Sequence, residues 1–216
     1  MTEFERRLFL RSRAAGAAGG LTAWVQQALA ADPKSLKQGL SSVSGDVSVN
    51  GKAASEGMAV APGDVVETGP VGRAVYVIGD SAFMQRPNSR VDFGDTAAAS
   101  FLRVLTGGLL SVFGKSRRQR QLAVTVATIG IRGTGCYIEA EERKAYFCLC
   151  FGAAEVQPMK GRPISYTTTH HEKPLWIADG VMQAAGVINH TDAEVIMLEA
   201  LAGRRSPFPS GKSGRY

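Results

Sequence analysis

The stretch Val124–Pro158, VTVATIGIRGTGCYIEAEERKAYFCLCFGAAEVQP, decides the fold and holds all three cysteines of the chain. Two runs rich in β-branched and aromatic residues flank the charged turn Glu141-Glu142-Arg143, and Gly130, Gly133, Gly135 and Gly152 punctuate them, the pattern of a long β-hairpin. Turn length sets where the sulfurs fall. A loop of three residues, Glu141 to Arg143, pairs Ala140 with Lys144 and carries Cys136 opposite Cys148; a loop of five carries it opposite Cys150. Cys148 and Cys150 are two apart and share a strand face, so either odd loop gathers the three sulfurs in one patch, whereas an even loop scatters them. An odd loop is the expectation.

Outward from the hairpin, turn signals recur about every ten residues, the spacing of an all-β sandwich, barrel or roll. Val43–Val49 alternates as a strand and ends at Asn50-Gly51, a strong hairpin signal. Pro62-Gly63-Asp64, Gly69-Pro70, Gly79-Asp80 and Pro87-Asn88-Ser89 then separate runs at Val65–Thr68, Arg73–Ile78, Ser81–Gln85 and Arg90–Phe93. Phe101–Thr106 and Leu109–Phe113 read as two buried strands about a turn at Gly107-Gly108, with a helix over Thr96–Leu105 as the alternative. Beyond Pro158, Ile164–Thr169 is a further strand. Thr191 caps a helix over about residues 192–202, with Glu194 placed to return the capping bond and Val195, Leu198 and Leu201 at helical spacing.

At 216 residues and 44% hydrophobic, the chain supports one domain with appendages, and its 34 Pro and Gly favour many short strands over a helical bundle. The net charge of +6 is partly N-terminal: without residues 1–30 the chain keeps 21 basic and 17 acidic residues, a net +4. That is too mild for nucleic-acid binding, and the basic run Lys115–Arg120 reads as a solvated turn. Arg6-Arg7-Leu8-Phe9-Leu10-Arg11 resembles a twin-arginine export motif, followed by the weakly apolar run Ala14–Val25 and by Ala28-Leu29-Ala30, after which cleavage would fall. An uncleaved amphipathic helix or membrane anchor is the alternative. The expectation is a periplasmic protein of a Gram-negative bacterium whose mature chain is soluble and has no transmembrane span.

The order and spacing of several phrases resemble the FecR-type domain of bacterial periplasmic regulators. They are Gly45-Asp46-Val47 with Asn50-Gly51, Pro62–Gly69, Arg73-Ala74-Val75, Pro87-Asn88-Ser89, Gly107-Gly108-Leu109-Leu110 and Val126–Gly135. The resemblance implies a mainly β domain over residues 43–158, an all-β sandwich or roll of many short strands, that recognises partners and does no chemistry. A C-terminal extension, residues 159–205, adds the helix packed on the sheet, and residues 206–216 form a disordered tail. The implied role is an interaction or regulatory module in envelope signalling, with iron-related regulation as one setting and another envelope protein as partner. Family members that act on sigma factors place a cytoplasmic helical segment and a membrane span ahead of the domain, a pattern not found in this sequence.

Candidate chemistry rests on the three cysteines and three histidines. Cys136, Cys148 and Cys150 with one of His170, His171 or His190 offer soft ligands for a metal or haem site, and His170 and His171 face opposite sides if extended. A Cys136–Cys148 disulfide with Cys150 buried is one alternative, and three buried thiols filling core space is another. A Cys150 nucleophile with a His190 base lacks any accompanying elbow or oxyanion-hole motif, so no catalytic residue is assigned and no resident cofactor is expected.

Overall fold

The structure, a computed structural model, describes residues 37–94, 101–115 and 119–208. The export segment with Arg6, Arg7, Ala28 and Ala30, the tip of the basic loop and the last eight residues lie outside them. In chain order the strands are β1 (Gly39–Ser44), β2 (Val47–Val49), β3 (Lys52–Ala53), β4 (Val65–Thr68), β5 (Arg73–Ile78), β6 (Ser81–Gln85) and β7 (Arg90–Asp92). There follow β8 (Phe101–Val112), β9 (Arg120–Val124), β10 (Ala127–Ala140), β11 (Lys144–Pro158), β12 (Ile164–Thr168), β13 (Leu175–Ala178) and β14 (Val181–Ala184), then helix α1 (Asp192–Leu201). The chain is thus mainly β, with the C-terminal helix packed on the sheet.

Three long strands turn this sheet over on itself. The first half of β8 lies between β7 and β9, and its second half between β6 and β10. β10 leaves β9 for β8 in the same way, and β11 leaves β13 for β12. Each carries a left-handed glycine between its two halves: Gly107 (φ +74°), Gly133 (φ +53°) and Gly152 (φ +102°). The two strands expected at 101–106 and 109–113 are therefore one bent strand, and neither a turn nor a helix interrupts it. The strand expected at 43–49 is instead divided: β1 pairs β5, β2 pairs β3 and β4, and the chain changes partners at Gly45, whose Cβ position lies 2.7 Å from the Val71 carbonyl oxygen.

Period-two alternation divides the apolar side chains between two cores. Ala74, Tyr76, Phe83, Leu109, Cys136, Ile138, Phe147 and Leu149 face the inside of the fold, against Val66, Val91, Val104 and Ile129. Val75, Val77, Met84, Leu110, Tyr137, Tyr146, Cys148 and Cys150 face outward and are covered by Val195, Met197 and Leu198 of α1. Burial on both faces explains why β5, β6 and the middle of the hairpin read as continuous rather than alternating apolar runs. In the inner core Gln85, fully buried, accepts from Tyr76 Oη at 2.8 Å and donates to the Val66 and Ser89 carbonyls at 3.0 and 2.9 Å, so its polar atoms are satisfied.

Strands β12, β13 and β14 continue the same sheet past Pro158, the boundary expected for the β domain, and β1 begins at Gly39, ahead of the expected 43. Helix α1 has ten residues, short of the roughly 12–15 at which an isolated helix holds. Its Thr191–Glu194 capping box and its buried face hold it in place. Phe208, within the tail expected to be disordered, is 5% exposed and packs edge-on to Phe151 at 5.7 Å.

Gly107 is the most constrained bend: a Cβ there would lie 2.1 Å from Ser89 Oγ and 2.6 Å from the Asn88 carbonyl oxygen, whereas Gly51 (φ +74°) faces open space. Gly51→Ala should cost about 1–2 kcal/mol, the left-handed backbone penalty alone, and Gly107→Ala about 3 kcal/mol or more once overpacking is added. Urea unfolding of the two variants measures the difference.

Candidate metal centre

The tip of the β10–β11 hairpin fixes everything that follows. Ala140 pairs with Ala145, and the Glu141 N–H donates to the Lys144 carbonyl at 2.9 Å, leaving Glu142 and Arg143 as a two-residue tip. The loop is therefore even, not odd. Cys136 pairs with Leu149 and Cys148 with Tyr137, which puts Cys136 in the inner core and Cys148 on the opposite face. The expected sulfur patch of three does not form, and neither does the Cys136–Cys148 disulfide, because the two side chains leave the sheet in opposite directions; all three cysteines are free thiols. Cys136 has no place in the candidate ligand set. Cys150 has no partner in the ladder, which slips between Gly135 and Cys136, and it stays on the helix side with Cys148.

Two histidines reach these sulfurs from different segments. His171 sits in the turn after β12 with φ +52°, and its backbone N–H bonds the Cys150 carbonyl at 3.0 Å. Its Nδ1 lies 3.4 Å from Cys148 Sγ and 3.1 Å from His190 Nε2. His190 directly precedes the Thr191 cap, stacks on Tyr137 with ring centroids 4.7 Å apart, and contacts the Ile188 carbonyl through Nδ1 at 2.6 Å. Cys148 Sγ, Cys150 Sγ and one ring nitrogen each from His171 and His190 all lie within 4.8 Å of one another. All four residues are buried, the thiols completely and the histidines to 4% and 5% exposure.

His170 does not join them. It is half-buried, and its Nε2 contacts Asp192 Oδ2 at 2.9 Å; because the chain bends at this pair and is not extended, the two rings do not face opposite sides but meet the same carboxylate. The other Asp192 oxygen, Oδ1, contacts His171 Nε2 at 3.1 Å. Asp192 lies in the acidic first turn of α1; that it also holds a buried histidine depends on the His171 turn folding back onto α1, which no local pattern encodes. Phe208 likewise escapes a composition-based reading. Its ring lies 5.2 Å from His171 and 4.7 Å from His170 and covers the site from outside.

A bidentate ion pair pins the other side. Arg86, at the end of β6, places its two terminal nitrogens 2.8 Å from the two carboxylate oxygens of Glu194 and donates to the Asn189 carbonyl at 2.7 Å. Glu194 also receives the Thr191 N–H at 2.9 Å, so one carboxylate closes the capping box and ties it to the sheet. These bonds hold Glu194 below the usual carboxylate range against the desolvation that opposes them.

Within the cluster the thiol of Cys150 holds Cys148 well below the ordinary thiol range, assisted by His171 and His190 and opposed by burial. Burial pushes Cys150 up, and Cys136 likewise. Cys148 and His171 are in contact, as a nucleophile and base would be, but Cys148 is fully buried under α1 and Phe208. Cys150 and His190, weighed as nucleophile and base and not assigned, belong to this same buried cluster.

No family model and no curated protein matches the chain. Two crystal structures of a protein of Parabacteroides distasonis ATCC 8503, provisionally described as an anti-sigma factor, are similar to it at 8% identity and a TM-score of 0.49. The match covers 56% of this chain and 59% of theirs, so the chain spans less than two thirds of the length of these structures.

Thiol titration separates free cysteines from a bridge. The three buried thiols should resist an aromatic disulfide reagent in the native protein and react as three in denaturant with chelator. A single reactive thiol in denaturant would restore the Cys136–Cys148 bridge.

Proposed function

We propose that the chain is a non-enzymatic interaction module resembling the FecR-type domain, exported by the twin-arginine route to the periplasm of a Gram-negative bacterium. There it binds another envelope protein in a signalling or regulatory role, with iron-linked regulation as the setting the resemblance implies. The supporting observation is the free edge of the sheet at β14. This strand pairs with β13 on one side, and among the described residues no strand pairs on its other side. Val181, at its start, is 56% exposed. Met159, 73% exposed, begins the loop whose Lys160 carbonyl lies 2.6 Å from the Cβ position of Gly180, so two of the large exposed apolar side chains flank one turn. An apolar, uncovered strand edge is what an extended segment of another protein adds to, with backbone hydrogen bonds for affinity and side-chain pockets for specificity. No described helix is long and apolar enough to cross a membrane.

A photo-crosslinking residue at the exposed position 183 tests this in cells producing the full chain. The expected result is a discrete crosslink to another envelope protein, recovered in the periplasmic fraction and lost when Val181→Asp and Met159→Lys are combined. Absence of any crosslink at 183, or an unprocessed chain confined to the cytosol, would overturn the proposal.

A further inference from the structure

We propose that Cys148, Cys150, His171 and His190 bind one divalent ion of the zinc class in a closed tetrahedral site, and that this ion staples the segment from His171 to α1 onto the hairpin.

The case starts from where the protons must sit. A carbonyl oxygen only accepts, so the 2.6 Å contact with Ile188 places the His190 proton on Nδ1 and leaves a lone pair on Nε2. The Asp192 carboxylate in the same way accepts from His171 Nε2 at 3.1 Å and leaves the lone pair on Nδ1. These tautomers follow from the hydrogen-bond network, and they aim both lone pairs at the same point. The two nitrogens are 3.1 Å apart, and Cys148 Sγ is 3.4 Å from His171 Nδ1. Lone pairs this close repel unless a shared proton or a cation stands among them, and the Cys148 thiol has one proton to give whereas a cation serves every donor at once.

The spacing also suits an ion set among the four donors. Zinc bonds of about 2.0–2.1 Å to nitrogen and about 2.3 Å to sulfur, set tetrahedrally, separate the nitrogens by about 3.3 Å and nitrogen from sulfur by about 3.6 Å. The observed contacts fall just inside those edges, and all four donor atoms lie within 4.8 Å. Two thiolates and two imidazoles form a zinc-favouring set, and Asp192 and the Ile188 carbonyl supply the outer bonds that orient ligating histidines. A haem is the wrong shape: its iron takes axial ligands from opposite sides of a macrocycle, for which this cluster has no room.

Burial of all four ligands leaves no open coordination position, which marks the site as structural rather than catalytic. The ligands come from β11, from the turn after β12 and from the residue before the helix cap. Cys148 and His171 are 23 residues apart, and His171 and His190 are 19 apart, so one ion closes two long loops.

Elemental analysis of the purified full chain, prepared without chelator, should find about one equivalent of zinc per chain. Cys136→Ser should keep it, and Cys148→Ser and His190→Ala should lose it. Because the latter variants risk misfolding, cobalt(II) exchange into the unaltered chain supplies an independent reading: tetrahedral d–d bands with sulfur-to-cobalt charge transfer sized for two thiolates. Removing the metal should speed amide exchange in 171–201 while leaving the inner-core strands protected. Absence of both zinc and cobalt bands in the unaltered chain would overturn the proposal, as would loss of metal from a folded Cys136→Ser variant.

Discussion

The parity of one β-turn governs the rest of the molecule. Because Ala140 pairs with Ala145, the side chains from Cys136 to Ala140 and from Lys144 to Leu149 have their faces assigned, and a slip of one residue in β11 would carry Phe147 and Leu149 out of the inner core. In the observed register Phe147 and Leu149 complete the inner core while Tyr146, Cys148 and Cys150 line a second face. That face is polar enough to need partners and apolar enough to need covering. The helix, the two histidines and Phe208 meet both needs.

Helix α1 is too short to stand alone, and the chain fastens its N-terminal end through neighbouring contacts. His190 stacks on Tyr137, Asp192 holds His171, and Glu194 joins the cap to Arg86. The Arg86–Glu194 pair is mostly buried, with side chains 12% and 16% exposed. Such a pair contributes little net stability but leaves a costly unpaired charge if broken, so it specifies one docking position for the helix. The same five residues that start the helix thus present His190 to the sulfurs, which links helix docking to the site without any separate scaffold.

Local signals were legible in the sequence, and non-local ones were not. Asn50-Gly51 forms its hairpin with both residues at positive φ, and the Thr191–Glu194 box forms as its spacing predicts, because each depends on a few adjacent residues. The long hairpin itself was also readable, whereas the bend that brings both His170 and His171 to Asp192 was not. The parity of the hairpin was not: Glu141-Glu142-Arg143 suits an odd or an even tip, and the even tip that forms is closed by the Glu141–Lys144 backbone bond. Gly107-Gly108 looks like a turn, yet Gly107 only bends a continuous strand against Ser89, a contact from a distant segment. Asp192 and Phe208 acquire their roles only when the extension folds back over β11.

The fold therefore separates one cysteine from two, and the two meet two histidines that the C-terminal extension carries to them. X-ray absorption at the zinc edge of the intact protein tests this arrangement most directly. The account predicts two sulfur neighbours at about 2.3 Å and two nitrogen neighbours at about 2.0 Å. A shell with three sulfurs would contradict it, since only an odd hairpin can bring Cys136 to the same face as Cys148 and Cys150.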